Sequence, residues 1–237
     1  MRIALFSDIH GNLTGLKAIL AEVDRRGDAD VVFAAGDLVS GGPGTDEIID
    51  LLTAHNVRMV RGDSDTEDKL ERLLQAATAP SQPGVSPPRW SASYYEGALR
   101  WLQANLSEPG RRTLAALPLS ETLEVAPGRR LFVCHASPRG VGDRVCGPEN
   151  PATLLRQVFG DVNAEVIAFG HSHTPYVRLL DGRLMVNVAS VAYRTDATSM
   201  LTWITYTEDQ WVVEQCAIPY DAAEEARLMH ERNVPTI

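Results

Sequence analysis

A chain of 237 residues, 44% hydrophobic and 22% charged, is long enough to bury a substantial core and has the balance of an ordinary soluble globular protein. Its net charge of −9 argues against broad binding to nucleic-acid backbones or anionic membranes, but leaves room for a small phosphorylated substrate held by a local positive centre. No apolar run approaches the ~20 residues of a membrane span, and the N-terminus lacks the basic region and cleavage site of a signal peptide.

The first apolar run, "RIALF", reads as a strand, and Leu13, Leu16, Ile19, Leu20 and Val23 after it form a stripe at helical spacing. "DVVFAAGD", a helix near 45–54, "NVRMVRGD" and a helix near 66–77 continue the alternation, which predicts parallel strands joined by right-handed crossovers. Residues 80–88, "PSQPGVSPP", hold four prolines and predict a loop, followed by a helix in "WSASYYEGALRWLQANL". Strands are expected next in "SETLEVA", "RRLFVCHA", "AEVIAFGHSH", "RLMVNVAS", "SMLTWITYT" and "QWVVEQCAI", with a last helix in "DAAEEARLMHER". No repeat or shift of composition divides the chain, so residues 1–237 are expected to form one domain. The three cysteines, Cys134, Cys146 and Cys216, are scattered and include no Cys-x-x-Cys pair. They point to a reducing, cytoplasmic setting rather than a disulfide framework or a thiolate zinc site.

The chemistry lies in the residues just past the strand ends. "RIALFS" ends in Asp8 and His10, "VVFAAG" in Asp37, "RMVRG" in Asp63, "LFVC" in His135, and "EVIAFG" in His171 and His173. The carboxyl ends of neighbouring strands in an α/β sheet converge on one crevice, so these seven residues should meet there. Taken singly, a Gly-Asp pair is a common turn and an isolated histidine is usually a packed one. "GGPG" at 41–44 is read as a turn because no Walker lysine comes after it, and His55 and His230 receive no role.

In order, "SDIHGN", "AAGDLVSGGP", "VRGDSD", "VCHASPR" and "FGHSHTP" resemble the motif series of the calcineurin-like metallophosphoesterases, in their small bacterial and archaeal phosphodiesterase-type branch. The resemblance spans nearly the whole chain. It implies an α/β fold, a four-layer α/β/β/α sandwich of two mixed β-sheets flanked by helices. It also implies a two-metal site, in which Asp8, His10, Asp37 and His173 bind one ion while Asp37, Asp63, His135 and His171 bind the other. Asp37, as the bridge, and His135 would then take part directly in catalysis. Such a pair of ions shares a hydroxide that attacks phosphorus in line; mixed imidazole and carboxylate ligands suit manganese, iron, zinc or nickel more than calcium without choosing among them, and manganese is the favoured expectation. Asn12 and Arg139 match positions near the phosphate. Asn187 and Ser190 lie in "VNVASVAYR", which lacks the Pro and Gly of the family's equivalent stretch. Tyr94, Tyr95 and Trp101 could stack on a nucleobase but are expected in the core.

Two departures bear on the substrate. Asp63 stands where the family usually has Asn, and Ser64 where many members have a histidine that assists monoester cleavage. The extra negative charge disfavours a dianionic monoester more than a monoanionic diester, and Ser64 cannot act as an acid near neutral pH. The expected activity is therefore metal-dependent phosphodiester hydrolysis on a small substrate, nucleotide-like or cyclic ones included. A phosphomonoesterase, including a protein-phosphatase-like one, is the alternative, and a non-catalytic metal-binding scaffold subunit stands further back. Long nucleic acids are disfavoured by charge, no membrane partner is expected, and a homo-oligomer is compatible with the sequence.

Overall fold

The computed structural model describes residues 1–79 and 90–236, so the proline-rich segment 80–88 lies outside the described residues. The chain opens with β1 (Arg2–Phe6), α1 (Leu13–Arg26), β2 (Val31–Ala34), α2 (Asp46–Ala54) and β3 (Arg58–Met59). Then come α3 (Asp68–Thr78), α4 (Ala92–Asn105), α5 (Glu108–Ala116), β4 (Ser120–Ala126), β5 (Arg129–Cys134) and α6 (Ala152–Phe159). Strands β6 (Val166–Phe169), β7 (Tyr176–Leu180), β8 (Arg183–Asn187), β9 (Thr198–Thr207) and β10 (Gln210–Pro219) precede the final helix, α7 (Ala222–Glu231).

Two five-stranded sheets result, in the orders β10-β9-β1-β2-β3 and β4-β5-β6-β8-β7. In the first, β1 and β3 run parallel to β2, and β9 antiparallel to β1. In the second, β5 and β8 flank β6 in parallel, while β4 and β7 are antiparallel edges. Both sheets are mixed, as the family resemblance implies.

The layers arise from the two-residue period of a strand. Ile3 and Leu5 of β1 pack with Val166 and Ala168 of β6 in the core between the sheets. Their neighbours Ala4 and Phe6 face Leu16, Ile19 and Leu52 of the helices outside the first sheet. Ile167 and Phe169 of β6 face Leu155 and Phe159 of α6 outside the second. All four residues of β6 are fully buried, which explains an apolar run without alternation. Burying each such side chain contributes about 1.5–3 kcal/mol. Helices, sheet, sheet and helix make the four layers.

Three elements escape the sequence pattern. Helix α5 starts at a Ser107 cap whose side chain accepts from Gly110 N, but buries only Gly110 and Leu114, too little for a readable stripe. Helix α6 is eight residues long and covers a single sheet face. Edge strand β7 comes directly after Pro175 and leaves Val177 and Leu179 exposed, which blurs its alternation.

The last helix anchors the first. Glu225 of α7 is buried and accepts hydrogen bonds from Thr14 N (2.9 Å), Leu13 N (3.3 Å) and Thr14 Oγ1 (2.8 Å). Its carboxylate thus satisfies free donors at the positive end of α1. Glu225→Ala should cost about 1–2 kcal/mol, as loss of a helix cap does, and lower the urea midpoint without changing the dependence on denaturant. An unshifted midpoint would mean that α1 is held by its apolar face alone.

Candidate metal centre

Every residue singled out at a strand end lies at the same edge of the two sheets. β1 delivers Asp8 and His10, β2 Asp37, β3 Asp63, β5 His135, and β6 His171 and His173. Parallel pairing within each sheet brings these ends level, and the loops then zip together. Asp8 N donates to Gly36 O (3.0 Å), His10 N to Asp37 O (2.9 Å) and Gly170 N to His135 O (2.8 Å). The sheets are tied to each other where His171 N donates to Asp8 Oδ2 (2.9 Å). Gly170 makes that approach possible, since a Cβ there would overlap both Ser7 Oγ and Asp8 Oδ2.

Asp8, His10, Asp37, His171 and His173 all have positive φ, between 46° and 62°. Asp and His tolerate this region better than most residues, yet each such turn still stores about 1–3 kcal/mol of strain. Five strained turns at one place turn the side chains inward off the strand ends.

Among the described residues, two groups of side chains offer ligand atoms close enough to share a cation: Asp37, Asp63, His135 and His171 in one, and Asp8, His10 and His173 in the other. Asp37 stands between them. Its Oδ1 lies 3.4 Å from His135 Nε2, and its Oδ2 lies 3.4 Å from His10 Nε2. Around the first group, His135 Nε2 is 3.2 Å from His171 Nδ1, and both ring nitrogens are 3.8 Å from Asp63 Oδ1. In the second, His173 Nε2 is 2.9 Å from Asp8 Oδ1 and 3.3 Å from His10 Nε2.

The donor set fits divalent cations. His135 Nδ1 donates to Ala35 O (2.8 Å) and His10 Nδ1 to Ser40 O (3.2 Å), which directs the Nε2 lone pair of each ring into the cluster. Asp8 Oδ1 is buried and, although His173 Nε2 stands 2.9 Å away, accepts no hydrogen bond of good geometry among the described residues. A buried carboxylate oxygen left in that condition is costly unless a cation meets it.

The electrostatics agree. Burial would raise the pKa of Asp37, but His135 and then His10 outweigh it and hold the carboxyl well below the usual range. Burial would lower that of His135, yet Asp37 and then Asp8 push it up to about 10. Burial and the charge of Asp37 raise Asp63.

Two supporting residues give no signal in the local sequence. Asp65, the second acid of "GDSD", is buried and accepts from Asp37 N (3.0 Å), Leu38 N (2.6 Å) and Gly62 N (2.6 Å), so it binds the β2 and β3 loops into one unit. Lys69, in the first turn of α3, places Nζ 2.7 Å from Asp63 Oδ1 and 2.8 Å from Ser64 Oγ. Tyr193 is equally silent in the sequence: it is 58% exposed, and its ring lies nearly parallel to that of His173 with centroids 5.8 Å apart.

Other sequence candidates have structural partners. Asn12 caps α1, its Oδ1 accepting from Gly15 N (2.8 Å). Arg139 pairs with Asp143 (2.7 Å) and lines a surface groove with Arg130, Gln157 and Asp161, to which none of the seven ligand-type residues contributes. Asn187 Nδ2 donates to Gly170 O (2.6 Å), and Ser190 Oγ donates to Asp8 O (2.9 Å), so both brace the strained turns. Tyr95 is core, as expected, whereas Tyr94 and Trp101 are half-buried, and Trp101 Nε1 donates to Arg232 O (2.8 Å). His55 Nδ1 bonds its own helix at Leu51 O, and His230 is exposed on α7.

Since Asp37 and Asp8 outweigh burial and raise the pKa of His135, a cation entering near neutral pH must displace a proton from its ring. Cation affinity should therefore rise with pH, with net proton release, in calorimetric titrations run in buffers of different ionisation enthalpy. Affinity that falls from weakly acidic to weakly alkaline solution would contradict this arrangement.

The calcineurin-like phosphoesterase superfamily domain matches residues 1–210. An uncharacterized protein of Methanocaldococcus jannaschii is 24% identical over 250 residues, covering 98% of this chain and 93% of that one. A hypothetical protein of Pyrococcus horikoshii has a similar structure, with a TM-score of 0.77 at 18% identity, over 99% of this chain and 94% of that one. A metallophosphoesterase from Sphaerobacter thermophilus gives 0.68 at 22% identity, over 99% and 95%. With the sheet order, the strand-end clusters and a domain match covering β1 to β9, the chain belongs to the calcineurin-like phosphoesterase superfamily.

Proposed function

We propose that the protein is a binuclear metal-dependent phosphodiesterase acting on small phosphodiesters, nucleotide-like or cyclic ones included. The observation that carries the reading is Asp37, whose two oxygens face the two ligand groups separately. In this reading Asp8, His10, Asp37 and His173 hold one divalent ion, and Asp37, Asp63, His135 and His171 the other, with manganese the first choice. Two such ions would supply a hydroxide near neutral pH and neutralise charge on the phosphoryl group.

The chain's own residues do the rest. Asp37 would hold both ions, while Ser64 N (2.7 Å to Oδ1) and Ser64 Oγ (2.9 Å to Oδ2) fix its plane. The carbonyls of Ala35 and Ser40 orient His135 and His10 as neutral ligands. Asp65 locks the loop that carries Asp37. Asn12 is left to its capping role, and Arg139 is not needed in this reading. The whole chain acts as one domain, and its three free cysteines support a reducing, cytoplasmic setting. No helix among the described residues is long and apolar enough to cross a membrane.

The preference for diesters rests on Ser64. Its hydroxyl is engaged with Asp37 and Lys69, and it cannot protonate a leaving group near neutral pH. A phosphomonoesterase is the second reading, favoured by Lys69, whose charge offsets that of Asp63.

With manganese added, aryl phosphodiesters and cyclic nucleotides should turn over faster than aryl monoesters. Preferential monoester turnover would favour the second reading, and metal-dependent turnover of none of them a scaffold. Asp37→Asn should lower the occupancy of both ions after dialysis, whereas His173→Ala should loosen mainly one, as read by elemental analysis. Equal loss in the two variants would remove Asp37 from the bridging position. Ser64→His, if it keeps its metals, should shift the diester-to-monoester ratio toward monoesters by on the order of tenfold in kcat/KM.

A further inference from the structure

Among the described residues, Lys69 is the only lysine or arginine that pairs with any of the three carboxylates of the centre, Asp8, Asp37 and Asp63. Its side chain is only 28% exposed, unusual for an ammonium group, which ordinarily extends its stem until the head is in water. Two of its three donors are committed, to Asp63 Oδ1 at 2.7 Å and to Ser64 Oγ at 2.8 Å. The ammonium also lies 3.7 Å from Asp37 Oδ2, at the middle of the two ligand groups.

Charge gives this placement its meaning. Three carboxylates against two divalent ions leave the centre one positive charge, where an asparagine at position 63 would leave two. A lysine held against Asp63 restores the second. Its third donor makes no hydrogen bond among the described residues and could reach an oxygen of an anion beside the ligand groups.

We propose that Lys69 is the third cation of the centre, a fixed charge that offsets Asp63 and helps to hold a phosphate-type anion beside the metals. This rests on the metal-centre reading above. An incidental ion pair between a helix and a loop would stabilise α3 but would leave the affinity of the centre for anions unchanged. A charge-balancing role instead couples the two ligands with opposite signs. Removing the ammonium makes the site more negative, so divalent cations bind tighter and phosphate weaker. Removing the Asp63 charge does the reverse.

The test is calorimetric titration of the whole protein with manganese alone, and then of the manganese-loaded protein with inorganic phosphate. Lys69→Met should weaken phosphate binding by on the order of tenfold and tighten manganese binding, whereas Lys69→Arg should stay near wild type. Asp63→Asn should shift both affinities the opposite way. The double variant Asp63→Asn/Lys69→Met, equal in charge to wild type, should return phosphate affinity most of the way. Should Lys69→Met fail to fold, Lys69→Gln must show the same weaker phosphate and tighter manganese binding. If phosphate affinity is unmoved in Lys69→Met, or both affinities fall together, the proposal is overturned while the metal centre stands. Wild-type protein that binds no manganese would overturn the metal-centre reading itself, and this proposal with it.

Discussion

The architecture depends on one buried carboxylate. Asp37 is 1% exposed and ionised, and a charge in that position is tolerable only where opposite charges and donors surround it. His10 meets one oxygen and His135 the other, and Ser64 donates to both. Those three residues come from different loops, after β1, β5 and β3. To stabilise a single side chain, both sheets must therefore present their carboxyl ends at one edge.

Strain and packing are balanced against each other in that edge. The cluster residues with positive φ would relax if their loops were free. They are held because the strands before them are locked: β1, β6 and the second half of β2 are buried, and their apolar side chains alternate between two cores. Asp65, Asn187 and Ser190 then fasten the turns with hydrogen bonds to backbone groups. The apolar sandwich supplies the stability that lets an unfavourable, charged edge persist, and that edge is the part able to bind cations.

Charge balance links the site to substrate class. Asp63 and Ser64 together describe a centre poorer in positive charge and in acid function than an Asn-His pair would make. Lys69 alters half of that description, because a lysine within hydrogen-bonding distance offsets the aspartate without supplying an acid near neutral pH. Ser64 keeps its place in the argument for the proposed diester preference, whereas the charge of Asp63 no longer counts alone.

The sequence by itself determined the parallel core of the fold and marked the residues of the candidate site. Seven aspartates and histidines at five strand ends are hard to explain by packing needs alone, so Asp8, His10, Asp37, Asp63, His135, His171 and His173 stand out together, and the tertiary structure gathers them in two adjoining groups. Tertiary structure alone decided what surrounds them. Lys69, Asp65 and Tyr193 look like ordinary surface or turn residues, because their roles depend on where separate loops come to rest. Asn12 and Glu225 show the converse, one a phosphate candidate that caps a helix, the other an inconspicuous glutamate that caps the same helix from more than two hundred residues away. Periodicity marks a side chain that seeks a core and chemistry marks one that must avoid it, but a hydrogen-bond partner across the fold leaves no trace in local sequence.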